Sequence, residues 1–350
     1  MKIYNHNKIS GRKINVALIG CGRISNRHIQ AILKNQDNLI LNAICDSDEE
    51  KLINKKNIIL KEQIKNNTAN KLNIYKSYET LLKDVQKGNL KIDLMVLTTP
   101  SGLHPVQTIE AAKLGINVCT EKPMATRWED GRKMVQVCDD NKVNLFVVKQ
   151  NRFNQTIKLL KSQVDKGRFG KIYMVTVNVF WQRPQKYYDQ DNWRGTWELD
   201  GGALMNQASH YVDLLTWLNG PIKNISAISS TIDRNIEVED TIAMNMQWRN
   251  GALGTMAVTM LTYPKNLEGS ITILGAKGSV RISGKAINKI DYWSFSDEDK
   301  DDQLIENISY DIDNVYGFGH EEYYKNMIGA LKGENNPICD GVEGLKSLEV

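Results

Sequence analysis

The sequence predicts an α/β chain in two parts, a doubly wound parallel sheet followed by a mostly antiparallel one. Three observations predict it. Short β-branched runs alternate strictly with helix-length segments from Ile14 to Val148. The first run ends in Gly20-Cys21-Gly22-Arg23-Ile24-Ser25, a glycine turn entering a helix. From Ile172 onward, strand-like runs follow one another through short turns. At 350 residues the chain is long enough for two cores. We place a polar tail at 1–12, a first domain at 13–150 and a second at 151–350.

In the first part, Ile14 to Ile19 reads as a strand buried on both faces. Residues 24–34 read as a helix, and Leu39 to Cys45 as a second strand ending at Asp46. A helix over 49–65, a short strand near Ile74, a helix over Tyr78–Val85 and a strand over Ile92–Leu97 follow. That strand runs into Thr98-Thr99-Pro100. Pro105 stands in the first turn of a helix reaching Leu114, where a missing N–H is tolerated. A strand at Asn117–Thr120, a helix over Trp128–Asp140 and a strand at Val143–Val148 complete the alternation, which puts ligands at the carboxyl ends of the strands.

In the second part a helix at about 155–166 precedes strands at Ile172–Trp181, Ile222–Thr231, Thr241–Trp248, Ala252–Leu261, Ser270–Leu274 and Ser279–Ile282. Arg249-Asn250-Gly251 and Ala276-Lys277-Gly278 suit hairpins. The acidic run at 297–302 predicts a solvated turn. Phe318–Leu331 predicts a helix packed back on the core, and a last helix starts near Gly344.

Composition narrows the function. Lys and Arg exceed Asp and Glu by only 45 to 41, too even a balance for a nucleic-acid partner. A small anionic ligand stays open. Five cysteines without C-x-x-C spacing predict reduced thiols in a cytoplasmic protein, and no metal site is suggested. No apolar run approaches the roughly 18 residues of a membrane span, and the polar first twelve residues lack a signal-peptide core.

The glycine turn has the form G-x-G-x-x-S. In the dinucleotide fingerprint the first glycine makes the turn, the second admits the pyrophosphate, and the third lets helix and strand pack closely. Ser25 meets only the last demand. Asp46, at the end of the second strand, suits the ribose hydroxyls of NAD and repels the extra phosphate of NADP; a helix cap before Asp48 is its alternative reading. Glu121-Lys122-Pro123 and the segment from Thr98 to His104 leave strand ends on the ligand side. A solvated loop lysine and a helix-start histidine are the alternatives for Lys122 and His104.

Residues 201–213 are predicted to open one helix bounded by Gly201-Gly202 and Gly220-Pro221. Leu204, Ala208, Tyr211, Leu215 and Leu218 share its apolar face, with Asn206, His210 and Asp213 opposite. Such a polar stripe is by itself a solvated surface. Just before it, residues 182–199 combine Arg183 and Arg194 with rigid aromatics. These arginines are candidates for a carboxylate or diphosphate, against a surface loop covering the sheet.

Together the glycine turn, Thr99-Pro100 with His104, Glu121-Lys122-Pro123, and Gly201-Gly202 followed by His210 and Asp213 resemble the glucose-fructose oxidoreductase, inositol dehydrogenase and rhizopine catabolism family, Gfo/Idh/MocA. The resemblance implies an N-terminal Rossmann domain and a C-terminal α/β domain with a large open sheet. The stretches Val148–Arg152, Gly167–Gly170, Phe180–Pro184, Tyr187–Asp189, Trp193–Trp197 and Met205–Tyr211 are similar to one branch of that family. Its NAD-dependent members oxidise the 3-hydroxyl of UDP-N-acetylglucosaminuronate for bacterial surface polysaccharide such as lipopolysaccharide O-antigen.

By that resemblance NAD is held by Gly20, Gly22, Arg23, Ile24, Asp46, Thr98, Thr99, Pro100, His104, Glu121, Lys122, Asn151 and Arg152. The UDP-sugar substrate meets Lys122, Arg152, Arg183, Tyr188, Arg194, Asn206, His210 and Tyr211. Lys122, His210 and Asn206 are the catalytic group, with Lys122 and His210 the two candidates for proton acceptor. Many relatives carry Asp one turn before the His; Asn206 stands there in this chain, leaving Asp213 as another orienter. The resemblance also implies a homodimer or homotetramer through the outer face of the second sheet, and a 2-oxo acid that recycles the cofactor. Relatives usually continue the last helix, so a truncated or naturally short chain is expected. The alternatives are another sugar or inositol dehydrogenase of the family, or a non-catalytic NAD-bound sugar sensor.

Overall fold

Six short apolar runs pair side by side in the computed structural model, which describes residues 8–65, 70–311 and 317–350. In order the elements are β1 (Ile14–Ile19), α1 (Ser25–Lys34), β2 (Leu39–Cys45), α2 (Glu49–Lys65), β3 (Asn73–Tyr75), α3 (Tyr78–Gln86), β4 (Leu94–Leu97), α4 (His104–Lys113), β5 (Asn117–Thr120), α5 (Trp128–Asp140) and β6 (Leu145–Val147). The sheet order is β3-β2-β1-β4-β5-β6, all parallel. Order reverses at β1, the switch point where such sheets bind ligands. Register aligns the strand ends: Ile19 pairs with Cys45 and with Leu97, Leu97 with Thr120, and Thr120 with Val147. The segments after these five residues therefore leave from one rim.

The second unit is built on α6 (Gln155–Asp165), β7 (Ile172–Phe180), α7 (Gln185–Tyr188), α8 (Ser209–Asn219), β8 (Ile222–Ser230), β9 (Thr241–Trp248), β10 (Leu253–Thr259), β11 (Glu268–Gly275), β12 (Gly278–Ser283), β13 (Lys289–Phe295) and α9 (Ile305–Ile308). Its sheet order is β13-β12-β11-β7-β10-β9-β8, antiparallel except for β7 with β10. Alternation along β7 sends Val175, Val177 and Val179 inward against Ile157, Leu160, Leu214, Leu215 and Leu218. Each such side chain contributes roughly 1.5–3 kcal/mol on burial.

The last helices, α10 (Gly319–Lys332) and α11 (Gly341–Glu349), correct the predicted domain boundary. Residues 320–348 group with 1–148, and 149–319 with 349–350, so the chain returns to its first unit. The reason is packing: Tyr323, Tyr324, Met327 and Leu331 are buried, and Ile9 N–H donates to Leu331 O at 2.9 Å. Ile9 thus docks part of the predicted polar tail; residues 1–7 of that tail lie outside the described residues.

Three further readings change. β13 was not predicted, because Lys289–Phe295 is an edge strand with no fully buried residue. The acidic run is not a free turn: Asp302 faces Arg168 at 2.8 Å, while Asp299 and Asp301 lie 2.7 and 2.8 Å from Lys166. The helix expected from residue 201 breaks into a π-helical turn at Ala203–Gln207 and α8, divided at Ala208.

Candidate active site

At the first unit's rim, β1 hands the chain to a turn that only glycine can make. Gly20 has φ of +95°, and a Cβ there stands 2.7 Å from the Thr98 carbonyl. The Thr98 hydroxyl lies 2.6 Å from Gly20 O and 3.0 Å from Ile19 O, tying β1 to the end of β4. Ser25 is fully buried and donates to Gly22 O at 2.6 Å, the close packing expected of it. A Cβ on Gly22 meets no atom within 4 Å, so the fold itself does not demand glycine there. A ligand pressed against the backbone does, which is the fit a dinucleotide pyrophosphate requires. Gly22→Val is accordingly expected to weaken NAD binding by about tenfold, some 1.4 kcal/mol, without moving the thermal midpoint; calorimetric titration and a melting curve check both.

Asp46 accepts from Cys21 N at 2.5 Å and from Asp48 N at 2.8 Å, while Asp48 accepts from Lys51 N at 3.1 Å. Asp48 is therefore the capping residue of α2, and Asp46 is bound to the glycine turn. Arg23 is exposed, and Ile24 is half-buried at the start of α1.

Two predicted cofactor residues also tie the protein's own loops together. His104 is buried between two carbonyls, Pro123 O at 2.9 Å and Thr99 O at 3.0 Å, and so joins the loops after β4 and β5. Thr99 also donates to Gln107 Oε1 at 2.6 Å, beside Pro100. Glu121 faces His28 Nε2 at 2.9 Å and accepts from Lys122 N at 3.1 Å. Burial pushes its carboxyl upward, but His28 and Lys122 outweigh that and bring it down to about 2. The ionised Glu121 thereby clamps the Lys122 peptide, whose side chain is half-buried. Neither His28 nor its edge-on neighbour His320, 5.7 Å away, was predicted.

In the second unit the polar stripe is only partly accessible, with Asn206 and His210 half-buried. Asp213 is buried, not solvated: Arg152 donates to it through Nε at 2.7 Å and Nη2 at 2.6 Å, with Lys149 Nζ 3.5 Å away. Burial raises the Asp213 carboxyl, yet Lys149 and Arg152 override it and hold it at about 2. Arg152, predicted to meet cofactor and substrate, is instead buried against Asp213 and lies 5.1 Å from the Trp217 ring. Asn151 is buried, with its Oδ1 lacking a protein partner.

His210 meets a residue that sequence reasoning missed: Gln150 Nε2 lies 2.8 Å from His210 Nε2. Asn206 does not act as a stand-in for the usual Asp. Its amide donates to Asp200, whose other oxygen accepts from Gly195 N at 2.7 Å. An Asn206→Asp exchange thus sets two carboxylates against each other instead of restoring an Asp–His pair.

Tyr188 and Tyr211, expected at the substrate, are core residues at 5% and 2% exposure. Tyr211 packs edge-on against Trp181 at 6.1 Å. Arg183 and Arg194 flank the Tyr187 ring at 5.5 and 4.6 Å, and Arg194 also donates to the Tyr187 hydroxyl at 2.8 Å. Arg194 is paired with Asp191 at 2.9 Å, whereas Arg183 has no carboxylate partner among the described residues. Its guanidinium lies 5.1 Å from the Trp181 ring, and Nη1 donates to Gln182 O at 2.7 Å.

A six-stranded parallel unit with a pyrophosphate turn, followed by an open-sheet unit, defines a nucleotide-dependent oxidoreductase architecture. The chain belongs to the Gfo/Idh/MocA oxidoreductase family: residues 14–149 match its NAD-binding Rossmann fold and 161–350 its C-terminal alpha/beta domain. It is 52% identical to the WlbA dehydrogenase of Bordetella pertussis, solved with NADH and UDP-GlcNAcA, over 97% of this chain and 94% of that one, with a TM-score of 0.89. The corresponding enzyme of Chromobacterium violaceum, solved with the same two ligands, is 53% identical over 98% and 92%, with a TM-score of 0.88. A D-xylose 1-dehydrogenase of Haloarcula marismortui is 25% identical over 72% of this chain and 69% of its own.

Proposed function

We propose that this protein oxidises the sugar 3-hydroxyl of UDP-GlcNAcA to the 3-keto sugar, with NAD as hydride acceptor. The observation that carries the reading is identity above one half, over nearly the whole chain, to two dehydrogenases solved with both ligands. Bound NAD supplies the redox chemistry. The chain supplies position and a proton acceptor, because a hydroxyl that loses hydride must also lose its proton. Lys122 and His210 are the candidates for that proton. Arg183 and Arg194 are assigned to the uronate or diphosphate. Incubation with UDP-GlcNAcA and NAD, following reduced nicotinamide by absorbance and the product by mass, tests the reading; a product lighter by two hydrogens is expected, and no reduction with this sugar overturns it.

The place of the reaction is surface-polysaccharide synthesis in the cytoplasm; among the described residues, no helix is long and apolar enough to cross a membrane. A 2-oxo acid reoxidises the cofactor in this reading, and 2-hydroxyglutarate formed from added 2-oxoglutarate is its signature. The working form is a homodimer or homotetramer. Its support is the outward face of the second sheet, where Met174, Leu253 and Leu274 sit on adjoining strands and Ile228 is 81% exposed. Exposed apolar strips of this kind mark interfaces. Light scattering is expected to give an oligomer for the native chain and a smaller species for Ile228→Asp; a monomeric native chain removes this part of the proposal.

A further inference from the structure

Among the described residues, His210 is the only histidine with a ring nitrogen that faces a side-chain amide. That neighbour is chemically decisive. A neutral imidazole carries one N–H and one bare nitrogen, and the hydrogen bond made by one determines which is which. A side-chain amide nitrogen can only donate. At 2.8 Å from Gln150 Nε2, the Nε2 atom of His210 must therefore be the bare, accepting nitrogen. The ring's proton then sits on Nδ1, which is buried. Neither nitrogen is left open as a proton acceptor. Gln150 itself is placed firmly: it is 2% exposed, in the helical turn at Gln150–Phe153 whose next residues include Arg152 on Asp213.

We propose that Gln150 is the positioning residue that sets the tautomer of His210, holding it in the Nδ1–H form and removing it as the base. Given the dehydrogenase reading above, on which this step rests, the proton of the sugar hydroxyl passes to the Lys122 amine. The C3 hydride passes to NAD, so that ketone, reduced cofactor and ammonium balance the reactants. His210 orients rather than abstracts.

The test separates the tautomer from the reaction. Solid-state 15N spectra of histidine-labelled, NAD-bound protein without sugar report which His210 nitrogen carries hydrogen, with a His210→Asn sample identifying the signals. The native protein is expected to show Nδ1–H, and Gln150→Glu, whose carboxylate accepts, to show Nε2–H. Native protein in the Nε2–H form, or Gln150→Glu in the same form as native, overturns the proposal. If Gln150→Glu does not fold, Gln150→Met removes the donor, and a His210 still wholly Nδ1–H in that variant is equally fatal.

Kinetics form the second arm. The Glu variant is expected to lose tenfold or more in kcat/KM and to gain a second acid limb in its pH profile, beyond the one that protonation of Lys122 gives the native enzyme. A native limb that vanishes in His210→Asn makes His210 the base and overturns the assignment. Failure of the native enzyme to turn over UDP-GlcNAcA defeats the substrate reading alone, since the spectra are recorded without it.

Discussion

Lys122→Ala is expected to abolish sugar oxidation, lowering kcat by roughly a thousandfold or more, about 4 kcal/mol of barrier, while NAD binding stays nearly intact. The separation follows from where each function resides. The cofactor's pyrophosphate is assigned to the glycine turn, secured by Thr98 on Gly20 and Ile19 and by Asp46 on Cys21 N. Lys122 enters through its side chain, and its peptide is clamped by Glu121, whose partner His28 stands on α1. Truncating the amine leaves that backbone clamp in place. Glu121 keeps its His28 partner when the lysine charge is removed, so the clamp on the peptide is retained. Absorbance assays give kcat, and quenching of protein fluorescence by NAD gives affinity. Turnover within tenfold of native excludes Lys122 as proton acceptor; unchanged kcat with weakened NAD binding makes it a cofactor ligand only.

The first unit was legible because its signals are local. A β-branched run that ends in Gly-x-Gly, or in Thr-Thr-Pro, carries its strand, its turn and its rim position within ten residues. The second unit's chemistry was less so, because its decisive pairs are distant in sequence. Nothing near Asp213 announces Arg152, sixty-one residues earlier, so helical periodicity alone does not reveal that its carboxylate is buried. The same distance hid Gln150, although it lies inside the stretch from Val148 to Arg152 that carried the family resemblance. An amide has no chemistry of its own to flag it, and its meaning comes entirely from the imidazole it faces. Tyr188 and Tyr211 misled in the opposite direction: aromatic residues suit both a binding loop and a core, and here both are buried. The acidic run at 297–302 lacked only its partners, Lys166 and Arg168, which stand on the turn after α6.

Asp213→Asn is expected to be the most destabilising single change in the second unit. The native carboxylate sits between two buried cations, Arg152 at 1% and Lys149 at 4% side-chain exposure. Removing its charge strands both, and breaking a buried pair in this way costs about 3–5 kcal/mol. For a unit of this size that lowers the melting point by on the order of 10 °C, read from near-ultraviolet circular dichroism. The pH dependence has a definite sign. The folded Asp213 carboxyl, at about 2, lies below its unfolded value near 3.9. Its contribution, roughly 2.5 kcal/mol, is complete above the unfolded value and is lost as pH falls from about 5 toward 2. The native protein is therefore expected to lose stability through that window more steeply than Asp213→Asn, whose amide has no proton to gain. Parallel acid-unfolding curves for the two proteins contradict this assignment. Because α8 also carries His210, the substitution couples stability to the site: the helix that loses its Asp213 anchor is the one that presents the imidazole to Gln150.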